Sequence, residues 1–162
     1  MSKILLFVFI LGVLGWSWGA IAAAPENTVI RIKDGDTVVI MGANRTPYTV
    51  RLSGLDAPEK GQPYGKKSKQ ALSAMIYKKI VRVDGSKQDR YGRTIARLYV
   101  DGLDVNAAMI EQGAAWVYRR YARGSSFAVF YQAEARAKKN KVGLWALSSP
   151  LPPWEWRKSG KK

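Results

Sequence analysis

The stretch TVIRIKDGDTVVIMGANRTPYTVRL, residues 28–52, decides the fold. Thr28–Ile32, Thr37–Met41 and Tyr48–Leu52 are short runs rich in β-branched and aromatic residues, the composition of strands. Asp34-Gly35 turns the chain between the first two, and Gly42-Ala43-Asn44 punctuates the end of the second. Outward from these strands, Ser53–Tyr64 carries Gly54, Pro58, Gly61 and Pro63 and reads as a loop. The spacing of Ala71, Leu72, Met75, Ile76 and Lys79 predicts a helix over Ser68–Lys79 with basic residues on its other face. Ile80–Val83 reads as a strand ended by Asp84-Gly85. After the polar loop Ser86–Gly92, Thr94–Val100 alternates in the manner of another strand.

Two further helices follow. Val105–Glu111 is stopped by Gly113. Phe127–Lys139 has Ser126 as its expected cap, Lys138 and Lys139 at its negative end, and Gly143 as its expected stop. Three strands, a helix, two strands and then helices specify an α+β fold, mainly β: a five-stranded barrel of the oligonucleotide-binding (OB) type with about three α-helices. Pro150–Lys162 is a tail rich in Pro, Trp and Lys. Its Trp154 and Trp156 are expected to pack back on the barrel, the alternative being a partner that covers them.

Composition narrows the chemistry. The chain has 162 residues, no cysteine and no histidine, with a formal net charge of +15. That length suits one domain. Without cysteine there is no disulfide scaffold, thiolate metal site or thiol nucleophile. Without histidine there is no Ser-His-Asp triad and no zinc-hydrolase helix motif. Catalysis has to run on carboxylates, Lys, Arg, Tyr or Ser, with a hard metal ion as the natural helper. The basic surplus favours a polyanionic partner: nucleic acid, anionic membrane or acidic glycan.

The N-terminus reads as a sorting signal. Lys3 precedes an apolar run from Ile4 to Leu14, and small residues follow from Gly19 to Ala24, as in a secretory signal peptide. The expected peptide covers residues 1–22, with cleavage at Ala22/Ala23. The protein is then exported to the periplasm or the medium, with no stable membrane association after cleavage. The alternative is an uncleaved anchor, because Ile4–Ala24 is just long enough to span a bilayer. Cleavage removes only one basic residue, Lys3, so the mature chain stays strongly basic.

Four segments carry chemistry when taken together. They are Asp34-Gly35-Asp36-Thr37, Arg51 through Glu59, Asp89 through Arg93, and Val105-Asn106 with Gln112-Gly113. Singly, each is an ordinary turn, loop or capped helix. Together, Asp36, Asp56 and Glu59 follow strand ends that can converge at one rim of a barrel. At ~5 Å and an effective dielectric of about 20, each like-charge pair costs about 3 kcal/mol, which a bound cation removes. Oxygen-only ligands suit Ca²⁺ or Mg²⁺. Arg51 and Arg93 add guanidinium groups that grip phosphate oxygens. A metal, a spare carboxylate and two arginines are the parts needed to hydrolyse a phosphodiester without histidine.

In order and spacing, Asp34-Gly-Asp-Thr37, Arg51, Asp56-x-Pro-Glu59 and Tyr91-Gly-Arg93 resemble the staphylococcal nuclease-like (thermonuclease) family. Val105-Asn106, Gln112-Gly113 and Gly143-Leu144-Trp145 extend the resemblance, which covers roughly residues 28–145. It implies a nuclease-like OB-fold domain over 27–147, a tail over 148–162, and a Ca²⁺-dependent endonuclease acting as a monomer on DNA and RNA. It implies Asp36, Asp56 and the backbone carbonyl of Ala57 as Ca²⁺ ligands, with Asp34 behind them. Glu59 is the implied general base, and Arg51 and Arg93 the implied phosphate clamps. Arg90 and Tyr91 would contact a further phosphate, Tyr121 would stack on a nucleobase, and products would carry 3′-phosphate ends. The loop from Glu59 to Tyr64 is shorter than in the best-known member, and a second base-pocket tyrosine is replaced near Arg119. The alternative on the same fold is a nucleic-acid-binding module without catalysis.

Overall fold

The computed structural model describes residues 27–160. The expected signal peptide lies outside them. Strands β1 (Thr28–Ile32), β2 (Thr37–Met41) and β3 (Pro47–Leu52) form consecutive antiparallel pairs. The register shifts between Val29 and Arg31 in β1. That irregularity lets Val29 and Ile32, three apart, both point into the core despite the two-residue period of a strand. β4 (Leu55–Asp56) lies inside the segment expected to be loop; it pairs with β8 (Trp116–Val117).

Helix α1 spans Gly65–Ile76, three residues earlier than Ser68–Lys79. It buries Gly65, Ser68, Leu72 and Ile76 along one stripe. Its C-terminal end is set by sheet pairing rather than by helix propensity. Tyr77 turns extended, Lys78 takes φ 62°, and the chain bonds to β1 through Lys78 N–H to Val29 O and Val29 N–H to Lys79 O, both 2.9 Å. The expected strand at Ile80–Val83 accordingly becomes a bridge between Ile80 and Thr28, followed by β5 (Arg82–Asp84).

β6 (Thr94–Val100) runs parallel to β3 and antiparallel to β5, giving the order β1-β2-β3-β6-β5. The segment entering β5 bonds to the start of β1 through the Thr28–Ile80 bridge and Val81 N–H to Asn27 O at 3.1 Å, which brings one end of the two edges together. β7 (Leu103–Asp104) pairs with β6 and leads into α2 (Val105–Glu111), where Asp104 accepts the Ala107 N–H as the N-cap. Asn106 is fully buried; it accepts the Leu98 N–H and donates to Ser53 O and Ala96 O, tying α2 to β6 and to the turn after β3.

α3 covers Ala128–Lys139. Ser126 does not cap it: a 3-10 turn over Ser125–Phe127 leads in, and no side chain caps the helix start. Nor does Gly143 end it, since the chain leaves the helix at Asn140, before Lys141 takes φ 51°. The tail folds into α4 (Pro153–Lys158), so the described residues hold four α-helices rather than about three. Trp154 stacks on Tyr118, rings 5.4 Å apart and nearly parallel, and meets Trp116 edge-on at 5.8 Å.

Candidate active site

Asp36 sits where the turn after β1 enters β2. Its carboxylate accepts the Thr37 hydroxyl (2.8 Å) and the Ala57 N–H (2.9 Å), which fixes both oxygens. Behind it, Asp34 accepts the Asp36 N–H at 3.0 Å. Burial, then the neighbouring Asp36 charge, push the Asp34 carboxyl up to about 6. Gly35 has to be glycine: an added Cβ would lie 2.0 Å from the Ser68 hydroxyl and 2.8 Å from the Ala57 Cβ. Gly65 serves in the same way, because a Cβ there would lie 1.9 Å from Glu59 O. These two close approaches press the Asp34–Asp36 turn, the Ala57–Glu59 loop and α1 together.

Asp56 comes from β4, held by its pairing opposite Trp116. Its side chain is 1% exposed. Burial raises its pKa, and the Arg157 and Arg51 guanidinium groups oppose that rise. Arg51, at the end of β3, reaches over the loop. Its Nη1 donates to Leu52 O (2.8 Å) and Leu55 O (3.0 Å). Its Nη2 lies 3.1 Å from Asp36 Oδ2 and 2.9 Å from Asp56 Oδ1. One nitrogen therefore gathers both carboxylates expected to hold the metal.

Glu59 follows on the Pro58 turn, half-exposed, with its N–H bonded to Gln62 Oε1 (3.0 Å). Its carboxylate meets Arg157 Nη1 at 2.6 Å, and Arg157 Nη2 meets Asp56 Oδ2 at 2.7 Å. The result is a chain of alternating charge: Asp36, Arg51, Asp56, Arg157, Glu59. Burial would lower the Arg157 pKa, but the hydrogen bonds to Asp56 and Glu59 hold it well above the ordinary guanidinium range. With Asp34 included, four carboxyl groups face two guanidinium groups, an acidic site in a strongly basic protein.

That donor set, all oxygen and acidic in balance, fits a hard divalent cation. Asp36 and Asp56 are close enough to share one ion, as they already share Arg51 Nη2. Among the described residues no three acidic side chains are drawn into a ready metal cage. Guanidinium groups stand between them instead. Ala57 meets the site through its N–H on Asp36.

The remaining predicted residues lie on neighbouring turns. Ile95 is the cross-strand partner of Arg51, and Arg93 immediately precedes β6. The Arg93 guanidinium is engaged by Asp89, at 2.7 and 2.8 Å. Burial works against the Asp89 charge, yet the Arg93 side chain and the Arg93 and Tyr91 N–H groups hold its pKa below the usual carboxylate range. Tyr91 projects into solvent with the Arg90 and Arg93 guanidinium carbons 4.8 and 5.4 Å from its ring centroid. Tyr121 is also exposed, edge-on to Tyr118 at 5.0 Å.

Sequence reasoning missed two residues at this site. Tyr118 stands beside Tyr121, one residue from the position where a second tyrosine was expected to be lost. Arg119 itself turns to the buried Glu134, which also accepts the Val117 N–H. The Tyr-x-x-Tyr spacing at Tyr118 and Tyr121 was the available signal. Arg157 had no signal beyond the Trp-rich tail that carries it.

The mixed-sheet domain thus gathers carboxylates and guanidinium groups from β3, β4, the loop after it and the C-terminal helix into one chain of ion pairs. The chain belongs to the staphylococcal nuclease family: the family model described as Staphylococcal nuclease homologue matches residues 49–147. Among its relatives, a protein of Escherichia coli O157:H7 named uncharacterized endonuclease is 39% identical over 155 residues, covering 95% of this chain and 94% of its own. A second uncharacterized endonuclease, from Haemophilus influenzae, is 39% identical over 138 residues, covering 84% and 76%. A micrococcal nuclease of Shigella flexneri is 35% identical over 145 residues, covering 84% and 82%.

Proposed function

We propose that this protein is an exported, Ca²⁺-dependent endonuclease that hydrolyses phosphodiester bonds of DNA and RNA and leaves 3′-phosphate ends. Family membership and the nuclease names of its relatives support hydrolysis of nucleic acid. The observation that carries the reading is the alternating carboxylate–guanidinium chain through Asp36, Arg51, Asp56, Arg157 and Glu59. Export rests on the leader read at residues 1–22; among the described residues no helix is long and apolar enough to cross a membrane.

In this reading Asp36 and Asp56 would hold the ion, with the Ala57 carbonyl as a third oxygen. When bound, the ion polarises a phosphoryl oxygen and offsets the charge that develops there. Glu59, on a loop braced by Gln62 and Gly65, takes the proton from the attacking water. Arg51 is anchored by two backbone carbonyls through Nη1, so its Nη2, which now lies between Asp36 and Asp56, can turn to a phosphate oxygen once the ion takes those carboxylates. Arg93, on the turn just before β6, leaves Asp89 to grip the same phosphate. Arg90, Tyr91 and Tyr121 offer exposed cationic and aromatic surface to flanking nucleotides.

The test is the chemistry of the product ends. Purified protein is incubated with single-stranded DNA and with RNA in Ca²⁺, and the fragments are offered to a polymerase before and after phosphatase treatment. Extension only after phosphatase supports the proposal. Binding of both nucleic acids without fragments overturns it in favour of the non-catalytic module.

A further inference from the structure

Helix α4 is fastened against the site from two sides. Trp154 lies against Tyr118 and Trp116, and Trp116 is the strand partner of Asp56. On the other side the buried Gln62 accepts the Glu59 N–H and donates to Leu151 O at 2.6 Å. The tail is thereby linked to the loop that carries Glu59. Pro152 and Pro153 stiffen the approach and start the helix. The outcome is a guanidinium delivered to Asp56 from 101 residues away in the chain.

What it does there follows from which oxygens it occupies. Asp56 Oδ1 receives Arg51 Nη2 at 2.9 Å and Arg157 Nη1 at 3.4 Å; Asp56 Oδ2 receives Arg157 Nη2 at 2.7 Å. Glu59 Oε1 receives Arg157 Nη1 at 2.6 Å. A carboxylate bonded to a guanidinium is a weaker ligand for a metal and a weaker acceptor for a water proton. Arg157 thus sits on the group that must hold the ion and on the group that must take the proton. Its side chain is 43% exposed, on a flexible stem, so it can leave without unfolding α4. Trp154 already supplies the apolar anchor, so tail docking alone does not require this placement.

We propose that Arg157 is a positioning residue of the active site: a tethered cation that competes with the divalent ion for Asp56 and holds Glu59 until the ion displaces it. The proposal rests on the metal-dependent reading above. It makes the C-terminal helix the element that sets metal affinity. It places nuclease competence under the control of the ion concentration that can outbid an internal guanidinium.

The experiment is calorimetric titration of Ca²⁺ into purified protein without nucleic acid, at neutral pH and fixed ionic strength. The proteins are wild type, Arg157→Gln, Arg157→Lys, Trp154→Ala and Asp56→Asn. Arg157→Gln is expected to bind roughly tenfold tighter, the scale for removing one unit charge a few ångströms from a dication in a water-like medium. Arg157→Lys falls between, because one ammonium cannot bridge Asp56 and Glu59 as a fork does. Trp154→Ala, which loosens α4 on one of its two sides while keeping Arg157, also binds tighter and carries the test if Arg157→Gln fails to fold. If Asp56→Asn loses binding while Arg157→Gln and Trp154→Ala match or fall below wild type, the competition is refuted and the metal site stands. If wild type takes up no Ca²⁺, or Asp56→Asn binds it as well as wild type, the metal reading fails and this inference with it.

Discussion

Glu59 is the proposed proton acceptor. Glu59→Gln keeps the shape and loses the proton acceptor. The cleavage rate is expected to fall by 10²–10⁴-fold, the usual contribution of a positioned general base, with little change in nucleic-acid binding. A single-turnover assay checks this, and an unchanged rate removes Glu59 from that role. Asp34 makes a different prediction. Its folded pKa, about 6, lies above the unfolded value of 3.8, so the native state binds the proton more tightly. Stability is therefore lost as pH rises from about 4 to 6, and the penalty stands in full above that window. Asp34→Asn keeps an oxygen for the Asp36 N–H and removes the penalty. In metal-free buffer it should be about 1–2 kcal/mol more stable than wild type at pH 7 and no more stable at pH 3.5, by chemical denaturation. The close association of Asp36, Arg51 and Asp56 was legible in the sequence because Asp36 enters β2 opposite the end of β3, where Arg51 lies, and Asp56 follows five residues later. Arg157 was not, because its place depends on a helix docking from the far end of the chain.

At the scale of elements, β1, β2, β6 and α2 follow the sequence pattern residue for residue. Each is short, bounded by turn residues, and satisfied by its immediate neighbours. α1 is the instructive departure. Its helical spacing continues to Lys79, yet the backbone of Lys78 and Lys79 is taken by β1, and a strand partner outweighs one more helical turn. β4 was invisible because two residues carry no periodicity; only the partner strand at Trp116 and Val117 defines it. The packing of the Asp34–Asp36 turn on α1 yields a prediction at this scale. Gly35→Ala drives a methyl into Ser68, itself buried and bonded to Ala114 O at 2.6 Å. Overpacking of this kind costs about 1–3 kcal/mol. The variant should melt earlier and cleave more slowly, since the same shift moves Asp36. Full stability and full activity together would show that the turn is not pressed against the helix.

At the scale of the whole molecule, a chain with a formal net charge of +15 carries a site whose own balance is acidic. On the proposed reading the basic surface draws in a polyanion and the acidic site a cation. Substrate affinity should therefore weaken steeply with added monovalent salt, read as the slope of log binding constant against log salt concentration; a flat response would detach the charge from substrate capture. The measurement closest to the central claim is the initial rate of single-stranded DNA cleavage against free Ca²⁺ at constant ionic strength, for wild type and Asp56→Asn. The account predicts no cleavage in chelator, a saturable rise with Ca²⁺ for wild type, and a curve for Asp56→Asn shifted to far higher Ca²⁺ or abolished. Cleavage that persists in chelator, or two superimposable curves, would contradict it.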